Sequence, residues 1–357
     1  IATARYNTCM STFHPQVIHA LLAAALFGAS TPLAKLLVGD VQPLLLGGLL
    51  YLGSGLGLSI ARLIRDRGWS ASGLHTGEWH WLLFAILFGG ILGPVLLMTG
   101  LQTTAASTAS LLLNLEAVLT AVLAWVAFHE HTHRRVVIGM LVIVGGGVLL
   151  SLPDASSIDQ GWQGSLAIAG ACLCWAIDNN LTRKVSSSDA MFIASTKGLV
   201  AGMVNCGLAI ALGMQWPSAE ILLATMSVGL LGYGASLVLF VLALRGLGTA
   251  RTGAYFSTAP FIGAALALLM GEPSSAHFWW AGALMALGVW LHLTETHEHE
   301  HTHEPLEHQH PHTHDEHHQH AHDFAWDGTE PHVHLHRHDV ITHKHPHYPD
   351  IHHRHSH

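Results

Sequence analysis

Two sets of residues in this chain carry chemistry that their surroundings do not otherwise explain. The first is histidine: of 32, 23 fall within residues 295–357. Many alternate with other residues, as in HEHEHTHE from His297 and HVHLHRH from His332. The candidate ligands are His297, His299, His301, His303, His308, His310, His312, His314, His317, His318, His320, His322, His332, His334, His336 and His338. Imidazole favours borderline divalent ions such as Zn²⁺, Ni²⁺, Co²⁺ and Cu²⁺, and the interspersed carboxylates would add ligands and offset the ion's charge. Overlapping sets are equivalent, so no single four-residue site stands out. A smaller cluster, HEHTH, places His129, His131 and His133 together. Its match to the H-E-x-x-H metalloprotease pattern lacks a third ligand in a catalytic context, and a metal touch-point working with the tail is the better reading. The competing account of the tail is a low-complexity stretch that solubilises the terminus or buffers protons at about pH 6 to 7.

The second set is the few ionisable and amide side chains inside long apolar blocks. An ionisable group at membrane depth costs at least about 2.5 kcal/mol, so it usually faces a bundle interior or water. Glu116, with Asn114 close by, lies in the middle of one block. It reads as a carboxylate that couples to a proton or cation or meets a cationic substrate, or else as a structural hydrogen-bond partner. Asp178 with Asn179 and Asn180 stands toward the end of another block, beside Arg183 and Lys184. Lys197 is placed either to pair with Asp178 or to snorkel to the membrane rim, and snorkelling is the expectation. Tyr233 and Tyr255 are candidate cavity hydroxyls, although aromatic residues in membrane helices more often pack or anchor. Cys172 and Cys174 are two residues apart and point roughly 200° apart on a helix, so they do not grip one ion together.

The elements that position these residues follow from composition. Half of the 357 residues are apolar and 11% are charged, against about 25% charged in soluble domains. The formal charge of -8 belongs to residues 295–357, while residues 1–294 nearly balance. No basic face with interleaved aromatics suggests nucleic acid, and no P-loop suggests ATP-driven transport. A transmembrane helix needs about 20 mostly apolar residues. Ten such blocks are predicted, at 17–37, 42–63, 80–101, 104–128, 135–152, 163–183, 191–213, 220–244, 249–271 and 277–294. Lys/Arg placement puts Arg62, Arg65, Arg67, Arg134, Arg135, Arg183, Lys184, Arg245 and Arg251 on one side and Lys35 on the other. By the positive-inside rule both termini are expected in the cytoplasm and the chain in the plasma (inner) membrane. Residues 1–16 read as a short lead, with 1–9 ahead of Met10 read as an upstream translation artefact. Residues 295–357 read as a disordered cytoplasmic tail, too poor in apolar side chains to bury a core.

The chain also resembles itself. LLNLEAVLTAVLAWVAFHE, ending at Glu130, lines up with YFSTAPFIGAALALLMGE, ending at Glu272. Gly89 matches Gly232, Gly139 matches Gly282 and Gly145 matches Gly288, each 143 residues on. LFGASTPLAK and LCWAIDNNLTRK correspond near the start of each half, 17–152 and 163–294. Five spans per half is an odd number, so the second copy should sit upside down relative to the first, as in many secondary transporters.

These paired segments resemble the EamA repeat of the drug/metabolite transporter superfamily, over about residues 17–293. The resemblance implies an all-α polytopic fold of ten transmembrane helices in two inverted five-helix repeats, working by alternating access. It also implies export of a small metabolite, amino acid or drug-like solute. With the HEHTH pattern discounted, no enzymatic activity and no required cofactor are expected. One departure is that the proline frequent in this fourth-helix motif is present as Pro260 but replaced by Ala117 in the first half, which should soften a kink there. The expected partners are a small-molecule substrate and the lipid bilayer, with a homodimer left open. The tail is then a sensor or buffer of divalent metal. The alternative makes Zn²⁺, Ni²⁺ or Co²⁺ the cargo, although Glu116 and Asp178 alone supply few ligands for a desolvated ion.

Overall fold

Every apolar block found in the sequence is helical in the computed structural model. The structure describes residues 15–69, 72, 74, 76–128, 134–152, 161–185, 188–294, 297–303, 306–312, 332–338 and 341–347. The helices are α1 (Pro15–Leu37), α2 (Pro43–Arg65), α3 (Trp79–Ala85), α4 (Gly93–Thr103), α5 (Ala106–Leu112), α6 (Asn114–Phe128) and α7 (Arg134–Ser151). They continue as α8 (Gly161–Thr182), α9 (Ala190–Ala211), α10 (Ala219–Gly229), α11 (Ser236–Phe256), α12 (Ala259–Leu269) and α13 (Ala276–Leu293). Among the described residues, eight helical stretches are long and apolar enough to cross a membrane. The blocks expected at 163–183 and 277–294 lie outside those eight. α8 carries Gln163, Asp178, Asn179 and Asn180, which dilute its apolar character. The apolar stretch within α13, Ala276–Leu291, is shorter than the rest.

Local sequence sets the helix ends. Pro43 begins α2, where its missing N–H is one the helix would leave unpaired anyway. Gly213 and Gly271 follow α9 and α12 with φ of 72° and 95°. There the chain turns back on itself: Met214 N–H donates to the Ala209 carbonyl at 2.9 Å and Glu272 N–H to the Ala267 carbonyl at 3.2 Å. This left-handed ending favours glycine because no Cβ obstructs it.

Three boundaries differ from the expectation. The helix runs unbroken through 244–249, where a boundary was predicted, and ends instead at Ser257 and Thr258, ahead of Pro260. The block at 104–128 breaks at Leu113 into α5 and α6, so the replacement of the motif proline by Ala117 does not remove the interruption in the first half. Two further breaks are π-helical turns, Ile86–Leu92 between α3 and α4 and Leu230–Ala235 between α10 and α11. They fall at equivalent places in the two halves and contain the matched Gly89 and Gly232. A π-turn widens the backbone ladder and often marks a functional position.

The packing partners also come in matched sets. α2 lies along α9, and α7 lies along α13. α1 packs against α11 and α12, while α8 packs against α4 and α6. Small residues bring the α2–α9 backbones close. A Cβ on Gly198 would stand 2.6 Å from the backbone N of Gly55, and one on Gly202 2.6 Å from that of Leu52. Without a hydrophobic drive between helices in lipid, close approach of this kind supplies association through dispersion contacts.

Residues 296–357 separate from the helical body as a unit of their own. Within its described residues the backbone forms β1 (His297–His303), β2 (Leu306–His312), β3 (His332–His338) and β4 (Ile341–His347), joined as two antiparallel ladders, β1 with β4 and β2 with β3. The physical reason is the period of two in the histidine runs, which suits a strand whose alternate residues share a face.

Candidate functional site

The most closely knit polar cluster within the helices is built on α8 and α9. The Asp178 carboxylate, 6% exposed, accepts from Lys197 Nζ at 2.6 and 2.7 Å, one bond to each oxygen. Thr182 Oγ1, one turn along α8, donates to Asp178 at 2.8 Å and accepts from Lys197 at 3.2 Å. Of the two readings of Lys197, pairing is the one adopted. Two buried charges, about one and two helical turns from the nearest helix ends, are stabilised more by each other than by separate routes to water.

Gly89 makes room for this pair. A Cβ at that position would collide with the Asp178 carboxylate, so the π-turn presents a bare backbone to the ion pair. Its freed carbonyl accepts from Tyr51 Oη at 2.8 Å and from Trp175 Nε1 at 2.9 Å. Asn205 of α9 donates to the neighbouring Ile91 carbonyl at 3.3 Å. In the second half, Gly232 faces Ser30 in the same manner, and Ser236 Oγ donates to the Gly232 carbonyl. Ser30 and Asp178 occupy corresponding places in the two halves, one neutral and one charged.

Glu116 stands apart from the ion pair. It accepts from Asn179 Nδ2 at 2.9 Å, and Asn179 also reaches Thr120 Oγ1 at 3.4 Å. Glu116 is hemmed in by protein yet only half-buried, and Asn179 is exposed, so the two border an accessible space rather than solid packing. Aromatic rings run from there. Tyr51 and Tyr233 meet at a tilt of 38° with centroids 5.5 Å apart, Phe27 meets Tyr233 edge-on at 6.0 Å, and Phe256 lies 5.4 Å from Phe27. The polar and aromatic parts therefore share Tyr51, whose ring faces Tyr233 and whose hydroxyl holds Gly89. A carboxylate with a single neutral amide partner can take up a proton or a cation, whereas Asp178 is already neutralised by Lys197.

Not every sequence candidate joins this site. Asn114, expected beside Glu116, is buried and donates to the Leu111 carbonyl at 2.8 Å, with Met285 Sδ 4.0 Å away. It serves the break at Leu113 and the α13 contact. Tyr255 is half-buried on α11, and its hydroxyl makes no hydrogen bond to Glu116 or Asp178 among the described residues. His129, His131 and His133 lie outside the described residues, as do His314, His317, His318, His320 and His322. Sequence reasoning passed over Tyr51, Trp175 and Thr182. The signal available for Trp175 was its match to Phe27 across the repeat, since both face the π-turns' surroundings.

Two further polar arrangements tie helix ends together. Asp189 caps α9 by accepting from Met191 N–H at 2.9 Å. The same carboxylate receives Arg62 Nε at 3.0 Å and Arg65 Nη2 at 2.6 Å from the end of α2. Burial alone would raise the Asp189 pKa, but the hydrogen bonds from Arg65, Arg62 and Met191 outweigh it and hold the carboxyl down at about 2. Elsewhere, Glu272 accepts from the Ala106 and Ser107 N–H groups at 2.7 and 2.8 Å, satisfying free donors that open α5.

Residues 14–152 and 162–294 each match the EamA-like transporter family. An uncharacterized transporter of Methanothermobacter thermautotrophicus is 28% identical over 290 residues, covering 77% of this chain and 84% of that protein. The uncharacterized transporter YyaM of Bacillus subtilis is 24% identical over 294 residues, covering 77% of this chain and 93% of its own. A solved crystal structure superposes with a TM-score of 0.58 at 22% identity, covering 77% of this chain and 95% of that one.

Proposed function

Since this chain belongs to the EamA-like transporter family, we propose that it is a secondary transporter that exports a small metabolite, amino acid or drug-like solute by alternating access. It is a multi-pass membrane protein, and its helices form the path. In this reading ten helices span the membrane as two inverted five-helix halves, with both termini in the cytoplasm. Support comes from the matched π-turns, the matched glycines and the reciprocal packing of α1 with α11 and of α8 with α4.

The observation that carries the reading is Glu116: an accessible carboxylate inside the helical body with Asn179 as its hydrogen-bond partner and aromatic rings nearby. Glu116 takes up the coupling proton or the cationic end of the substrate, and Tyr51 and Tyr233 wall the space. Asp178 and Lys197 hold α8 to α9 beside the first π-turn, so a rearrangement of either helix is felt at Gly89. Metal as cargo is less well served. A desolvated divalent ion wants about four ligands, and Asp178 already spends both oxygens on Lys197.

The test is transport by purified protein in liposomes, or solute accumulation in cells, for the parent chain and Glu116→Gln. Glu116→Gln keeps the size of the side chain and removes its charge. Loss of export by more than tenfold, with normal membrane insertion, is the expected result. Export unchanged in Glu116→Gln would remove Glu116 from the mechanism.

A further inference from the structure

The transport reading leaves the histidine ladders unused, and their register is more specific than a polyhistidine stretch requires. In the β1–β4 ladder the opposed residues are His297 with His347, His299 with His345 and His301 with His343. In the β2–β3 ladder they are His308 with His336, His310 with His334 and His312 with His332. Opposed residues of an antiparallel pair share a face, and so do residues two apart along a strand. All three histidine pairs of each ladder therefore occupy one face. The alternate positions, among them Glu298, Glu300 and Lys344 or Glu307, Gln309 and Arg337, occupy the other. The seventh histidine of each ladder, His303 opposite Ile341 and His338 opposite Leu306, falls on the imidazole face as well.

From this register we infer that the tail is a two-site module for a borderline divalent transition metal such as Zn²⁺ or Ni²⁺, one site on each ladder. Opposed Cβ atoms in such a pair are about 5 Å apart, and neighbours two along a strand are about 7 Å apart. Two adjacent pairs thus mark the corners of a rectangle that four imidazoles can close around one ion, with metal–nitrogen distances of about 2.0 Å. Three pairs supply one such set of four and leave one pair over, so each ladder fills a single four-coordinate site. His343, His345 and His347 become ligands by this argument, although their sequence context alone did not single them out. Imidazole binds as the neutral base, so binding displaces protons below about pH 6.5. The inference is independent of what the helical body carries.

The experiment is Zn²⁺ binding to the full-length protein in detergent, measured by equilibrium dialysis against a competing chelator with metal analysis. Two double variants with equal histidine counts separate the register from mere histidine density. His299→Ala with His345→Ala removes one opposed pair, the central pair of the β1–β4 ladder. His299→Ala with His334→Ala removes one histidine from the central pair of each ladder. The parent is expected to bind two ions tightly. The first variant should keep one tight ion and lose the other, whereas the second should weaken both by tenfold or more. Size-exclusion elution checks that each variant remains folded. Equal, graded loss in the two variants would overturn the register-built sites, and so would a parent that binds no tight Zn²⁺.

Discussion

At the scale of single residues, the ion pair of Asp178 and Lys197 is the place where a small change should cost most. The carboxylate is 6% exposed and both its oxygens are used by Lys197. Removing one partner leaves a buried charge without compensation, which typically costs about 3–5 kcal/mol. Lys197→Met should therefore lower the thermal stability of the purified protein sharply. Adding Asp178→Asn to it should recover part of the loss, because no charge is then stranded. A double variant as unstable as the single one would argue that the pair is held for packing rather than charge. Gly89→Ala should also destabilise, by roughly 1–3 kcal/mol, the usual cost of overpacking, since its Cβ collides with Asp178. Gly145→Ala, where a Cβ meets nothing within 4 Å, should be neutral in the same melting experiment. The charged members of this site were legible in the sequence because a charge in an apolar block stands out by its cost. Tyr51 and Trp175 were not, because an aromatic ring in such a block looks the same whether it packs or donates a hydrogen bond.

At the scale of elements, the helices were legible almost throughout and their interruptions were not. Twenty apolar residues in lipid have one economical backbone solution, so periodicity and length suffice to place α1 or α9. The break at Leu113, the unbroken helix through 244–249 and the two π-turns depend on which neighbour receives the freed carbonyls. At Gly89 those neighbours are Tyr51 and Trp175, distant in sequence. The junction of α2 and α9 makes a prediction of its own kind. Asp189 caps α9 and receives two arginines, with its carboxyl held at about 2, below the usual unfolded value of about 3.9. A depressed carboxylate contributes stability that is complete above its unfolded pKa and is lost as pH falls through its folded one. The contribution is on the order of 2 kcal/mol at neutral pH and should disappear between about pH 4 and pH 2. Asp189→Asn keeps an acceptor for Met191 N–H but loses the charge. It should melt lower at pH 7, with the difference from the parent vanishing at about pH 2. A constant difference across that range would mean that the arginines do not act through the charge of Asp189.

At the scale of the whole molecule, the decisive property is the orientation of the two halves, which parity and packing address together. If each half contributes five spans, the loop after α1 and the loop after α8 face opposite sides of the membrane even though they occupy the same place in the repeat. The charge bias agrees: Lys35 ends α1, whereas Arg183 and Lys184 follow α8, and positive residues collect on the cytoplasmic side. The sensitive element is α8, which lies outside the eight stretches long and apolar enough to cross because Asp178, Asn179 and Asn180 interrupt it. Those groups are satisfied by Lys197, Glu116 and the Ala176 carbonyl, so their cost in lipid is met within the protein and the helix can span despite its lower hydropathy. Single cysteines at Asp40 and Ser188, in a chain whose own cysteines are replaced by alanine, test this directly with a thiol reagent that does not cross membranes. Asp40→Cys should label in intact cells, and Ser188→Cys only after permeabilisation. Labelling of both from outside would mean that one span between them, α8 first, does not cross, and the inverted arrangement with its alternating access would fall with it.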